Sequence, residues 1–226
     1  MNPWQNPSIE LFGIRVDEPV TTFTDLIVAA VGLIGFMKTA SSDNGRSVSL
    51  YRYFFLFTAL STLVAAFFGH AFTYHFGMKA RMIGWVIGMI GVAFAQFAVL
   101  NNSRETISKN LFSVLAIVNI IELIVVTVAL VTYQAFFIVE IHSAFGMVLM
   151  VTILEAFNYS KTKSDMSRNM VIGVALATAA VICHVAQLAM SKWFNHLDMS
   201  HIFMALALYV MYRGVAAEQK LNTSVA

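Results

Sequence analysis

The chain has 226 residues, of which 59% are hydrophobic and only 12% are charged. Soluble domains contain about 25% charged residues, so this composition excludes an ordinary soluble protein and favours a polytopic membrane protein. The net charge of +2 is too small and too dispersed to indicate nucleic-acid binding, and the single cysteine, Cys183, excludes a disulfide framework. The N-terminal segment lacks a basic start followed by an apolar stretch, so we expect no cleavable signal peptide.

Seven apolar segments have the length of membrane-spanning helices, and short polar connections join them. The helices are predicted at residues 21–38, 51–74, 80–100, 110–132, 135–157, 168–190 and 199–216. Because neither a soluble domain nor a strong internal repeat separates these segments, we expect residues 1–226 to form one all-α domain, a single bundle of seven transmembrane helices.

The placement of lysine and arginine predicts the orientation of the bundle, because cytoplasmic loops carry an excess of both. One side carries Lys38, Arg46, Arg52, Arg104, Lys109, Lys161, Lys163, Arg168, Arg213 and Lys220. The other side carries Arg15, Lys79, Arg81 and Lys192. We therefore expect the N-terminus outside and the C-terminus in the cytoplasm, which fits a bacterial inner membrane whose outer side faces the periplasm.

The histidines all fall in the outer half of this predicted bundle, with two carboxylates, Asp25 and Glu140, at similar depth. They are His70, His75, His142, His184, His196 and His201. A lone intramembrane histidine is usually a hydrogen-bonded packing residue, but several imidazoles in one layer must point inward and find partners. A shared polar cavity at the outer end is therefore predicted, and neutral imidazole is the commonest protein ligand of zinc.

Helical spacing suggests which side chains line this cavity. Asp198 and His201, three residues apart at the start of predicted helix 7, share one helical face. His196 and His201 are five apart, about 140° around a helix, so both reach one ion only if His196 precedes the helix. Alternatively, Asp198 is a helix N-cap and these histidines lie at the wet interface. The further candidates for lining the cavity are Tyr74, one turn after His70, and Glu140, His142, His184 and Gln187.

Three other acidic residues have separate interpretations. Glu122 lies near the middle of predicted helix 4, and the sequence names no partner for it. Glu155, near the cytoplasmic end of predicted helix 5, is expected to reach water. Glu18 and the following Pro19 indicate the start of a helix, with carboxylates favourably placed at its N-terminus.

Two short patches carry a family resemblance. FFGHAFTY at residues 67–74 and NHLDMSHIFMALAL at residues 195–208 resemble the membrane hydrolase superfamily, which includes alkaline ceramidases, adiponectin and progestin receptors and hemolysin III proteins. Proteins of that superfamily have seven helices and hold zinc with one histidine of helix 2 and two of helix 7. By position, the resemblance implies that His70 and His201 are zinc ligands. We expect His196 as the third ligand if helix 7 begins after it, with Asp198 or His184 as substitutes.

The chain departs from the superfamily pattern at several positions. Leu197, not a histidine, stands four residues before His201, and Ala66 fills the position of the superfamily's serine. Predicted helix 3 contains no aspartate, so Asp25 and Asp198 become the candidate catalytic carboxylates. The segment EPVTTFTD at residues 18–25 also resembles the EPxTxxTD start of a poorly characterised bacterial family of seven-helix proteins.

These observations predict a zinc-dependent intramembrane hydrolase that cleaves amide or ester bonds of membrane lipids near the outer face. The alternative is a non-catalytic receptor that senses lipid, zinc or pH with the same histidine cavity. A proton-coupled transporter would need a path through the cytoplasmic half, where only Glu155, Gln96 and loop charges continue it. The sequence indicates neither the lipid nor the oligomeric state.

The orientation can be tested by cysteine labelling in a chain without Cys183. A cysteine in place of Ser42 should react with an impermeant reagent only from the cytoplasm, and one in place of Lys192 only from outside. The opposite labelling pattern would reverse the predicted orientation.

Overall fold

The computed structural model describes residues 7–40 and 45–225, with side chains as far as residue 220. Seven helices in this described part are long and apolar enough to cross a membrane, which confirms the predicted number. They are α1 (Pro19–Lys38), α2 (Arg46–Ala71), α3 (Thr73–Asn102), α4 (Lys109–Tyr133), α5 (Phe136–Thr162), α6 (Asp165–Val185) and α7 (His196–Val225). Ser42, chosen above for labelling, lies outside the described residues.

A β-hairpin precedes the helices, and the all-α prediction missed it. Strands β1 (Ser8–Leu11) and β2 (Ile14–Asp17) pair antiparallel. The turn residues Phe12 and Gly13 have φ values of 53° and 77°, as a two-residue hairpin turn requires. Strands of four residues with a Phe-Gly turn leave a weak sequence signal. We call the end of the bundle that carries this hairpin the hairpin end.

Helices α1 and α2 pack closely through small residues. A Cβ atom on Gly32 of α1 would lie 2.9 Å from the carbonyl oxygen of Phe55 in α2, so a larger residue there would push the helices apart. The largest fully buried side chains are Tyr51, Phe55, Met89, Leu100, Leu130, Met166, Met170 and Met211. Helix α4 lies at the periphery and exposes most of its apolar side chains, as a lipid-facing helix does.

Helix α2 ends earlier than predicted. Its last turns form a π-helical segment, Ala65–Ala71, and Phe72 leaves the helix. Tyr74, predicted one turn after His70 in the same helix, therefore belongs to the start of α3. A π-helical segment shifts the direction of the side chains that follow, and such segments are frequent at functional sites.

The ends of α6 and α7 also differ from the prediction. Helix α6 ends at Val185, and Gln187 has a left-handed φ of 52°, so Gln187 does not share a helical face with His184. Helix α7 begins at His196, three residues earlier than predicted. His196 and His201 therefore lie on one continuous helix.

The expectation that Glu155 reaches water is wrong, because this side chain is fully buried at the end opposite the hairpin. The Tyr51 hydroxyl donates a hydrogen bond to Glu155 Oε1 at 2.6 Å. The amide nitrogens of Asn102 and Asn158 lie 2.8 and 3.4 Å from Glu155 Oε2. The carboxylate thus joins α2, α3 and α5.

Replacing Glu155 with alanine should destabilise the bundle, because it removes the acceptor that Tyr51, Asn102 and Asn158 share. We expect a loss of about 2 kcal/mol or more, which lowers the melting temperature in detergent by about 4 °C or more. Asp165→Ala is the control, because Asp165 pairs with Arg168 at the surface of α6. Equal melting temperatures for the Glu155 variant and the wild type would contradict this role.

Candidate functional site

A cluster of acidic residues and histidines is buried at the hairpin end, between α1, α2 and α7. Asp25 of α1 is 2% exposed and lies between two imidazoles. Its Oδ1 is 3.4 Å from His201 Nε2, and its Oδ2 is 3.6 Å from His70 Nε2. The two rings meet edge to face, with 6.2 Å between their centroids. The structure thus brings together His70 and His201, both predicted as metal ligands, around a predicted catalytic carboxylate.

The second nitrogen of each imidazole is also engaged. His70 Nδ1 forms a short contact with the carboxylate of Glu18. His201 Nδ1 lies 2.9 Å from the hydroxyl of Thr24. A hydrogen-bond partner on one ring nitrogen fixes the orientation of the imidazole. These contacts therefore direct both Nε2 atoms towards Asp25.

Asp198, the other predicted catalytic carboxylate, has both oxygens occupied. Its Oδ2 accepts a hydrogen bond from the Asn195 backbone N–H at 2.6 Å, and its Oδ1 lies 3.4 Å from the Thr24 hydroxyl. The Asn195 side chain in turn accepts from the Leu197 N–H at 2.8 Å. This is a reciprocal cap of α7 with Asn195 at the N-cap, so Asp198 supports the helix start from the third helical position. We call Glu18, Thr24, Asp25, His70, Asp198 and His201 the hairpin-end cluster.

His196, predicted as the third metal ligand, packs elsewhere at this end. Its ring centroid is 5.4 Å from that of His184, at the end of α6. His184 Nε2 is in turn 3.5 Å from Glu140 Oε1 of α5. The structure therefore places the predicted lining residues Glu140 and His184 in a second group with His196.

His142, also predicted to line the cavity, lies in a third place and supplies the missing partner of Glu122. The ring is fully buried, with Nδ1 2.8 Å from Glu122 Oε2 of α4. Its Nε2 donates to the carbonyl oxygen of Met89 in α3 at 3.0 Å. Both nitrogens are thus used to join α3, α4 and α5.

Tyr74 holds the hairpin and does not enter the hairpin-end cluster. Its hydroxyl donates to the carbonyl oxygen of Arg15 at 3.1 Å, and the Arg15 guanidinium lies 5.2 Å above its ring. Gln187 lies in the loop after α6. His75, like Tyr74, is exposed at the start of α3.

The sequence analysis missed Glu18 and Thr24 as parts of the site. Both belong to EPVTTFTD, residues 18–25, of which Asp25 is the last residue. The resemblance of this segment to an EPxTxxTD start was the signal that could have identified them. A carboxylate before Pro19 is also typical of a helix start, so Glu18 by itself does not indicate a site.

The donor atoms of the cluster fit zinc chemically, although their present arrangement is not a complete metal site. Among the described residues, no three His, Cys, Asp or Glu side chains are arranged to hold a metal ion. Imidazole nitrogens and a carboxylate are zinc ligands, and a carboxylate partner such as Glu18 is typical of a zinc-binding histidine. Asp25 Oδ2 is buried and, within the described part of the chain, accepts no hydrogen bond, so it can take a cation or a proton.

Residues 20–220 match a family described as a family of unknown function, DUF6962. The chain belongs to this family. The match includes Asp25, His70, Asp198 and His201, whereas Glu18 precedes it. No curated protein and no solved structure matches the chain significantly.

Thr24 should stabilise the cluster, because its hydroxyl contacts both His201 and Asp198. The nearly isosteric change Thr24→Val removes these contacts and should cost about 1–3 kcal/mol, lowering the melting temperature by several degrees. Thr22→Val is a matched control, because the buried Thr22 hydroxyl has no hydrogen-bond partner in the described structure. If both variants melted alike, Thr24 would not have this role.

Proposed function

We propose that this protein is a zinc-dependent intramembrane hydrolase that cleaves amide or ester bonds of membrane lipids at the hairpin end. We also propose that this end faces outwards, with the N-terminus outside and the C-terminus in the cytoplasm. The excess of lysine and arginine at the opposite end supports that orientation. A bacterial inner membrane with the site on the periplasmic side is the location that we propose.

The observation that carries the proposal is the shared carboxylate. Two imidazole Nε2 atoms, from His70 and His201, face the same buried group, Asp25, at 3.6 and 3.4 Å. Their Nδ1 atoms are held by Glu18 and Thr24. A cluster with three carboxylates and only neutral imidazoles would leave buried negative charge uncompensated, and a divalent cation is one means of compensating it.

Each residue then has a defined role. His70 and His201 would hold the zinc. His196 packs against His184 on the same continuous helix as His201, so we assign no third protein ligand. When bound, zinc supplies a Lewis acid that makes a water molecule nucleophilic near neutral pH. Asp25 accepts the proton at Oδ2, the oxygen without a hydrogen-bond partner in the described structure. Glu18 and Thr24 orient the two imidazoles, and Asp198 positions Thr24 and the start of α7.

A receptor that senses pH, zinc or lipid is the second candidate. It is favoured by the separation of the histidines, because His70 and His201 each face Asp25 and His196 contacts His184. Such acid–imidazole pairs can bind and release protons without any substrate. This reading needs no open coordination position and no turnover.

Zinc content and lipid turnover of the purified protein distinguish the two functions. The hydrolase should contain about one zinc per chain, and His70→Ala and His201→Ala should each abolish it. Asp25→Asn should keep the metal and lower turnover of lipid amides or esters by about 10²-fold or more, the scale for loss of a general base.

His75→Ala is the matched control, because His75 is exposed at the same end of the bundle and outside the cluster. It should keep both zinc and activity. A wild-type protein with no zinc and no turnover would reject the hydrolase and leave the receptor. Release of zinc by Asp25→Asn would make Asp25 a ligand and remove it as the base.

A further inference from the structure

A cavity of about 510 Å³ lies beside the hairpin-end cluster, between the hairpin and the adjoining ends of α2 and α3. Its lining includes His70 and Glu18 of the cluster. It also includes Ser8, Arg15, Asp17, Thr73 and Arg81, none of which has a role in the proposed chemistry. Whatever occupies the cavity therefore lies next to His70.

The ionic groups of this lining are paired, with one exception. Arg15 Nε lies 2.7 Å from Asp17 Oδ1, and Glu18 contacts His70. Arg81 instead donates through one terminal nitrogen to the carbonyl oxygen of Gly69 at 2.5 Å and lies 3.3 Å from the Thr73 hydroxyl. Within the described structure the Arg81 Nε has no hydrogen-bond partner, and the guanidinium forms no ion pair with any described carboxylate. In the part of the chain that the structure describes, the Arg81 guanidinium therefore lines the cavity without an ion-pair partner.

The contacts of Arg81 with Gly69 and Thr73 use only one nitrogen of its side chain, and its position in α3 does not favour a cation. Gly77, with φ 69° and ψ −170°, interrupts the start of α3, so the regular helix begins after it. Arg81 falls in the first turn of that regular helix, where the helix dipole disfavours positive charge. It is also one of only four basic residues on the sparsely charged side, Arg15, Lys79, Arg81 and Lys192.

The geometry points to Arg81 as the recognition site for the phosphate group of a membrane phospholipid. An arginine fork matches the oxygens of a phosphate, and such charge-assisted hydrogen bonds are stronger than neutral ones. The Thr73 hydroxyl beside the guanidinium supplies a further donor. This inference rests on the proposed function and names its substrate class, a phospholipid whose ester or amide bond lies beside His70 while its phosphate contacts Arg81.

Lipid binding to the full-length protein in detergent tests the inference without any measure of hydrolysis. Native mass spectrometry would compare phosphatidylglycerol with diacylglycerol of the same chains, which lacks the phosphate. The wild type should retain phosphatidylglycerol preferentially. Arg81→Gln should weaken that binding by about tenfold or more, because it removes the charge-assisted contacts.

Lys79→Gln is the matched control, because it removes one positive charge from an exposed residue of the same segment. It should bind phosphatidylglycerol as the wild type does. Equal binding by Arg81→Gln and the wild type would overturn the inference. Binding of inorganic phosphate together with equal retention of phosphatidylglycerol and diacylglycerol would also overturn it, because the site would then belong to the free ion.

A second Arg81 variant and the zinc content separate failure of this inference from failure of the proposed hydrolase. If Arg81→Gln does not fold, Arg81→Lys keeps the charge without the fork and should bind at least about threefold more weakly. Unchanged binding by Arg81→Lys would then overturn the inference. A protein that binds phosphatidylglycerol through Arg81 but contains no zinc would retain this inference and reject the hydrolase.

Discussion

Burying carboxylates within a helix bundle is the constraint on which the hairpin end depends. An ionised group in a low-dielectric interior is costly unless it is paired, hydrogen-bonded or bound to a cation. Asp25 lies in the middle of such a group, with His70 and His201 on either side. Asp25 and these two partners come from α1, α2 and α7, so the chemistry of one carboxylate determines how three distant parts of the chain must meet.

The local structure around the cluster follows from the same constraint. The π-helical end of α2 carries His70, and the left-handed Glu18 allows the hairpin to lead directly into Pro19 of α1. Glu18 thereby reaches His70, and the hairpin closes one side of the neighbouring cavity. The capped start of α7 fixes the position of His201 along the helix axis. Each of these features brings a polar group of the cluster to a position that a regular helix would not give it.

Elsewhere in the bundle, polar groups of the same kind serve packing. The pair of His142 and Glu122 joins α3, α4 and α5, and both imidazole nitrogens are engaged. At the opposite end, Glu155 is bonded by neutral donors only, and no described basic residue pairs with it. The hairpin-end cluster differs from both, because Asp25 Oδ2 accepts no hydrogen bond in the described structure and a cavity adjoins it. That difference is the physical reason for assigning function here.

Hydropathy along the chain determined the membrane class, the seven helices and the layer that contains Asp25, His70 and His201, because burial in lipid depends on the summed character of each segment. The tertiary structure decided which of these side chains meet. His196 contacts His184, His142 contacts Glu122, and Glu18 joins His70, although spacing alone left these pairings open. The rotation and the end points of each helix set such contacts. A π-helical turn, a helix start three residues early and a short hairpin changed them. The hairpin and the helix start form through short-range contacts, but their contacts with His70 and Thr24 join segments far apart in sequence.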